Sequence, residues 1–161
     1  MEEEPNIKVV GLKEALKIRV ITAGPPITYF VLKPIQKLLW RHLMRKPQFR
    51  LIGEAVTLDI IKETFKNTEM GTRFLSGDYK SATDEIHSWV SEKALDGVIF
   101  ALERSCGHRL QPLKVLMKRA LTGHVYNHKG QAKAQKRGQL MGSIISFIFL
   151  CIANFSLIRH A

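Results

Sequence analysis

Two aspartates, Asp78 and Asp84, stand with five residues between them in the segment GDYKSATDEI, residues 77–86. Carboxylates at a turn leading into a helix can do one of two things. They can be structural, Asp78 capping the turn and Asp84 sitting in the first helical turn, where the helix dipole favours negative charge. They can instead hold a hard cation such as Mg²⁺, which takes oxygen ligands and keeps part of its shell for substrate phosphates. The pair alone does not choose between these. Of the basic residues, Lys17 and Arg19 stand in a β-branched run, followed by Lys33, Lys37 and Arg41 at helical spacing, a pattern that solvated surface charges share. Cys106-x-His108 and His124-x3-His128 lack two complete close-spaced ligand pairs and are read as surface residues rather than as a zinc site.

The charge around these groups is uneven. The chain has 161 residues and a net charge of +11. Residues 1–50 hold 10 basic and 4 acidic side chains, residues 51–100 hold 5 and 9, and residues 101–161 hold 10 and 1. Two basic thirds therefore flank an acidic middle, an arrangement that suits polyanion binding beside a carboxylate site. A hydrophobic content of 45% with 11 Gly and 6 Pro excludes collagen-like, low-complexity and wholly disordered classes. Two cysteines in unlike surroundings, Cys106 and Cys151, give no disulfide framework and fit a reducing compartment. The acidic N-terminus MEEEPNIKVV has no apolar signal region, which makes the cytosol the expected location.

Several elements must position these residues. Ile18 to Ala23 reads as a strand broken at Gly24-Pro25-Pro26. After Pro34, the spacing of Ile35, Leu38, Leu39 and Leu43 predicts a helix ending near Lys46-Pro47. Residues 57–66 form a short helix or loop. Phe74 to Tyr79 reads as a strand end entering a turn, and a helix follows from Ala82 to Phe100 with Ile86, Trp89, Val90 and Leu95 inward. A second helix covers Pro112 to Leu121, and residues 126–137 form an exposed basic hairpin or loop. Trp40 and Trp89 are assigned to the core. Residues 140–158 carry no charge over 19 positions, which by itself allows either a membrane span or a buried core helix entered through Met141-Gly142-Ser143.

GDYKSATDEI, followed some fifty residues later by KRGQLMGSIISFIFLCIAN, resembles motifs A and B of viral RNA-dependent RNA polymerases of the ourmia-like (botourmiavirus) group and its narnavirus and RNA-phage replicase relatives. The upstream stretch RVITAGPPITYFVLKPIQKLLWRHLMRKPQFRLIG is similar to the basic motif F of the same group. The resemblance implies an α+β fold, a partial right-hand polymerase that is helix-rich with a small antiparallel palm sheet. Residues 1–70 would be the fingers segment with motif F, and residues 71–161 a partial palm with motifs A and B.

The implied activity is template-directed ribonucleotidyl transfer in viral RNA replication, with Mg²⁺ or Mn²⁺ as cofactor. RNA template and product and ribonucleoside triphosphates would be the partners, no DNA is expected, and the host cytoplasm would be the location. Asp78 would be the catalytic metal ligand. Asp84 and Asn154, the latter partnered by Asp84, would read the ribose 2′-hydroxyl, which donates and accepts hydrogen bonds. Gly142 and Ser143 would form the motif B loop beside the nascent base pair, Lys17 and Arg19 would line the nucleotide path, and Lys33, Lys37, Arg41 and Gln139 would contact RNA. The helix after motif B would pack beneath the palm sheet, which disfavours the membrane reading of residues 140–158.

The family also carries a Gly-Asp-Asp turn, motif C, which supplies a second metal carboxylate, and no Gly-Asp-Asp occurs in this sequence. Ala23, Glu85, Ile144 and Ile148 stand where the family tends to have a basic residue, Asn and two prolines. The expectation is a chain that is inactive alone, either a truncated viral frame or an integrated relic. The competing functions are a basic RNA-binding module without chemistry and, less favoured, a tail-anchored membrane protein.

Overall fold

The computed structural model describes residues 3–4, 6–66, 68–69, 71–73, 77 and 79–160, with the backbone alone at Lys17. Phe74, Leu75, Ser76 and Asp78 lie outside the described residues, and with them the strand end expected before Tyr79.

The first element is a long hairpin. β1 (Asn6–Glu14) and β2 (Lys17–Ala23) pair antiparallel from Lys8 opposite Ala23 to Glu14 opposite Lys17. The basic segment at 126–137 is also a hairpin, with β3 (Val125–His128) and β4 (Gln131–Ala134) joined by Lys129 and Gly130. Both turn residues have positive φ, 51° and 79°, as a two-residue turn that matches strand twist requires. β1 runs parallel to β3 at Asn6–Val125 and Ile7–Tyr126, giving the order β2-β1-β3-β4. The sheet is therefore mixed, not the antiparallel one expected. Its central pairing joins residues 119 positions apart in sequence, which no local pattern encodes.

α1 (Pro26–Met44) starts at Pro26 rather than after Pro34. Proline at the first helical position loses no hydrogen bond, and Pro34 sits inside the helix, where it removes one. Burial of Leu32 and Leu43 on the inward face carries the helix through that position. No neighbouring side chain caps its N-terminus; the carboxylate of Glu3 does so from 24 residues away. Its Oε1 accepts from Ile27 N at 3.0 Å, and its Oε2 from Thr28 N at 2.7 Å and Thr28 Oγ1 at 2.8 Å.

After a 3-10 turn at Pro47–Phe49, α2 (Leu58–Phe65) is capped by Thr57 Oγ1, which accepts from Ile60 N at 3.3 Å. The single helix expected over 82–100 is two, α3 (Ala82–Glu85) and α4 (Ser88–Cys106), separated by extended backbone at Ile86 and His87. The break turns Trp89 outward to 65% exposure, so it is not a core residue. α4 ends at Gly107 in the left-handed region that favours glycine, with φ 74°. α5 (Gln111–Leu121) follows.

α6 (Ser146–His160) has 15 residues, about 22 Å at 1.5 Å per residue against a hydrocarbon core of about 30 Å. Among the described residues no helix is long and apolar enough to cross a membrane. Its principal neighbours are α4, α1 and α3, so it packs among helices rather than beneath the sheet.

One core joins these helices: Leu32 of α1, Leu95 and Ile99 of α4, Met117, Ala120 and Leu121 of α5, and Ile145 and Phe149 at the start of α6. Each large side chain buried there contributes about 1.5–3 kcal/mol. A smaller cluster of Leu43, Ile52 and Ile148 extends it. There Trp40 lies against Phe147 with ring centroids 5.6 Å apart, and Phe49 meets Phe155 edge-on at 5.5 Å.

The Glu3 cap makes the α1 terminus pH-sensitive. Partial desolvation acts to raise the Glu3 pKa, but the bonds from Thr28 and Ile27 outweigh it and hold the carboxyl below its ordinary 4.5. A depressed folded-state pKa stabilises above the unfolded value and is lost as pH falls through the folded one. NMR titration of Glu3 is expected to show a midpoint below 4.5, with the Ile27 and Thr28 amide shifts moving together with it.

Candidate active site at the junction of residues 79–86, 137–146 and 154

The residues of the two acidic and loop motifs meet through backbone contacts. Gly138 N donates to Ile86 O at 2.8 Å and Gln139 N to Thr83 O at 2.7 Å. The bond to Gly138 takes the Ile86 carbonyl out of any helix and accounts for the break between α3 and α4. Gly138 has φ 81°, and a Cβ there would stand 2.8 Å from Thr83 O, 2.9 Å from Asp84 O and 3.1 Å from Asp84 Cα. The strap 137–139 therefore lies directly on the backbone at Asp84. Arg137 adds an exposed ion pair to Glu85 at 3.6 Å, worth little in water.

A second contact comes from α6. The Tyr79 hydroxyl donates to Asn154 Oδ1 at 2.7 Å, joining residues 75 positions apart. Tyr79 thus takes the place expected for Asp84 as partner of Asn154, while Asp84 is exposed. A cavity of about 210 Å³ between Tyr79, Lys80, Glu85, Ile86, Leu150 and Asn154 opens at this point. Ser81, between Tyr79 and Asp84, is held in the left-handed region at φ 54° without being glycine, a strain that persists where surrounding contacts over-determine the backbone.

The loop before α6 closes on the β2–α1 corner. A Cβ on Gly142 would stand 1.7 Å from Thr22 O and 2.8 Å from Thr22 C, so only glycine fits. Beside it the buried Ser143 hydroxyl lies close enough to influence the Tyr29 phenol, although neither oxygen has a hydrogen-bond partner among the described residues. Burial pushes the Tyr29 phenol pKa up, and the Ser143 hydroxyl partly opposes this.

Other expected site residues are distributed differently. Gln139 and Ser143 are 2% and 6% exposed, and Gln139 Nε2 donates to Ser91 Oγ at 2.7 Å. Both side chains face the interior of this structure, whereas the sequence reading has Gln139 contacting RNA and Ser143 the nucleotide. Arg19 is on the open hairpin, ion-paired with Glu14 at 3.1 Å, and Lys17 stands two positions earlier on the same strand. Lys33, Lys37 and Arg41 are exposed along one stripe of α1, about 6 Å apart along the axis, and make no ion pair among the described residues.

Asp78, next to Tyr79, lies outside the described residues. Among the described residues no group of three or more His, Cys, Asp or Glu could hold a metal ion. His124, one of the zinc candidates, is instead a buried core residue bonded to Gln135. Sequence reasoning missed Tyr79, Gly138 and Gln135. The signal for Gly138 was present in Arg-Gly-Gln just before the apolar run, whereas nothing local marks the other two.

No protein-family profile matches the chain. A curated relative does match, and it bears out the resemblance of this chain to a viral RNA-dependent RNA polymerase. That relative is the RNA-dependent RNA polymerase of Ourmia melon virus (isolate Melon/Iran/VE9), 33% identical over 163 residues, which cover 91% of this chain. The chain spans 19% of that protein's length.

The glycine seam is testable. Gly142→Ala must displace backbone on one side of the loop and is expected to cost about 1–3 kcal/mol in chemical denaturation, the range for overpacking. Gly97→Ala, in α4 with nothing within 4 Å of the added Cβ, is expected to raise stability by about 0.5–1 kcal/mol.

Proposed function

We propose that the chain forms part of the fingers and palm of a right-hand RNA-dependent RNA polymerase, and that it holds a ribonucleotide and the RNA strand during template-directed ribonucleotidyl transfer. The observation that carries this reading is the bond from Tyr79 to Asn154, which brings the acidic motif and the helix after the loop motif to one cavity. The ribose would sit near Asp84 and Asn154, whose Nδ2 complements the carboxylate as donor to acceptor toward a 2′-hydroxyl. Asp78 would be a ligand of the catalytic Mg²⁺ or Mn²⁺. The chain contains no Gly-Asp-Asp turn, so its own contribution is binding and orientation rather than a complete metal centre. The relative's name points to viral RNA replication, for which the host cytoplasm is the proposed location.

The stripe Lys33, Lys37 and Arg41 supplies the RNA contact. Its spacing lets three cations follow a phosphate backbone, and counterion release makes such binding salt-dependent. Lys17 and Arg19 on the hairpin would meet the triphosphate, with the Arg19–Glu14 pair, exposed on both sides, giving way to phosphate.

The test is binding by the full chain. Single-stranded RNA affinity is expected to fall with salt, and the triple variant Lys33→Ala, Lys37→Ala, Arg41→Ala to reduce the slope of log K against log salt by about 2, from about 0.7 per phosphate contact. ATP is expected to bind more tightly than dATP, with the difference lost in Asn154→Ala and tight ATP binding weakened in Asp78→Asn. RNA binding with no nucleotide preference and indifference to Asp78→Asn would leave the basic RNA-binding module instead.

A further inference from the structure

Gln135 belongs to none of the segments that resemble a polymerase motif, yet its side chain is the most heavily bonded amide described in the molecule. Oε1 faces His124, accepting from Nδ1 at 2.9 Å and from the His124 backbone N at 3.4 Å. Nε2 donates to Arg137 O at 3.1 Å and Gly138 O at 2.8 Å. Its own backbone N donates to His124 O at 2.8 Å. Two carbonyls can only accept, so the NH₂ must face them and the oxygen must face His124, which fixes the amide orientation and puts a proton on His124 Nδ1.

We propose that Gln135 is a positioning residue that sets the strap 137–139 on the backbone of Asp84 and thereby the preference for a ribose 2′-hydroxyl; this rests on the ribonucleotide reading above. One end of the link is rigid. His124 is fully buried, and it directly follows the α5 terminus, whose Ala120 and Leu121 belong to the core. The other end is the strap itself, whose Gly138 and Gln139 amides bond Ile86 O and Thr83 O. Gly138 stands so close to Asp84 that a displacement of the strap displaces the Asp84 backbone. The link needs two donors and an acceptor on one planar group. Glutamate of the same shape puts a carboxylate against two carbonyl oxygens, and methionine of similar length has neither donor nor a strong acceptor.

Burial holds the His124 pKa below its ordinary value, against the bonds to Gln135 and to the Arg119 backbone, so the imidazole is neutral at pH 7. A carboxylate at 135 would reverse this, which gives the link a spectroscopic signature that a general loss of packing would not produce.

The experiment uses the full chain with Gln135→Met and Gln135→Glu, and reads hydrogen exchange, ATP and dATP binding, and the His124 NMR titration. The Gly138 and Gln139 amides are expected to exchange at least tenfold faster in Gln135→Met, with α1 and α4 amides unchanged. The ratio of ATP to dATP affinity should fall at least fivefold while RNA affinity is kept, and Gln135→Glu should raise the His124 pKa. Unchanged exchange at 138–139 in both variants would overturn the positioning role. Faster exchange with the wild-type ATP preference retained would overturn its link to ribose selection. Wild-type chain without any ATP preference would reject the ribonucleotide reading and with it that link, while the exchange arm still decides whether Gln135 holds the strap.

Discussion

The rest of the structure depends on the strap at residues 137–139 lying against the backbone of Thr83–Ile86 with no room for a side chain at Gly138. Two backbone hydrogen bonds of about 1 kcal/mol net each would be a modest bond in themselves. What gives them their effect is exclusion: the atoms that a Cβ would meet belong to backbone, which cannot swing aside. That contact breaks the helix at Ile86, leaves Asp84 exposed at the end of a single helical turn, and aligns the chain so that the following loop reaches Thr22. From there α6 runs back past α3 and brings Asn154 to Tyr79. Three stretches that are remote in sequence are thus joined by two glycines and one side-chain bond.

The charge distribution follows a consistent division. Three acidic residues of the helices are ion-paired across elements: Asp96 with Lys114 at 2.8 Å, Glu92 with Lys118 at 3.0 Å, and Glu63 with Arg50 at 2.7 Å. The Lys114 hydrogen bond holds the Asp96 carboxyl below its ordinary range. These exposed pairs add little to stability. Their consequence is that the excess positive charge is expressed on α1 and on the two hairpins, where a polyanion can meet it.

Local patterns made much of this legible. The helical face of Leu39 and Leu43, the α5 stripe ending at Met117 and Leu121, and the basic hairpin around Lys129-Gly130 were readable because their periods and turn residues act within a few positions. The apolar run at 140–158 was readable as a core helix once its motif context was considered. What was not legible was set by distant partners. The α1 start at Pro26 depends on a carboxylate at Glu3, the break at Ile86 on an amide at Gly138, and the mixed sheet on β1 meeting β3. The site follows the same rule. Asn154 was identified as polar and inward, but its partner Tyr79 was not, because a tyrosine beside an aspartate carries no signal of which helix it will reach. Gln139 and Ser143, read as facing nucleic acid, are buried, and Gln139 bonds Ser91, a partner 48 positions away.

The central claim is that the acidic motif and the helix after the loop motif share one site, and a double-mutant cycle on Tyr79→Phe and Asn154→Ala measures it directly. Unfolding free energies of the two single variants, the double variant and the parent chain would be compared by chemical denaturation. A hydroxyl–amide bond across this junction predicts a coupling of about 0.5 kcal/mol or more, whereas effects that add to within about 0.3 kcal/mol would mean that the two side chains do not meet.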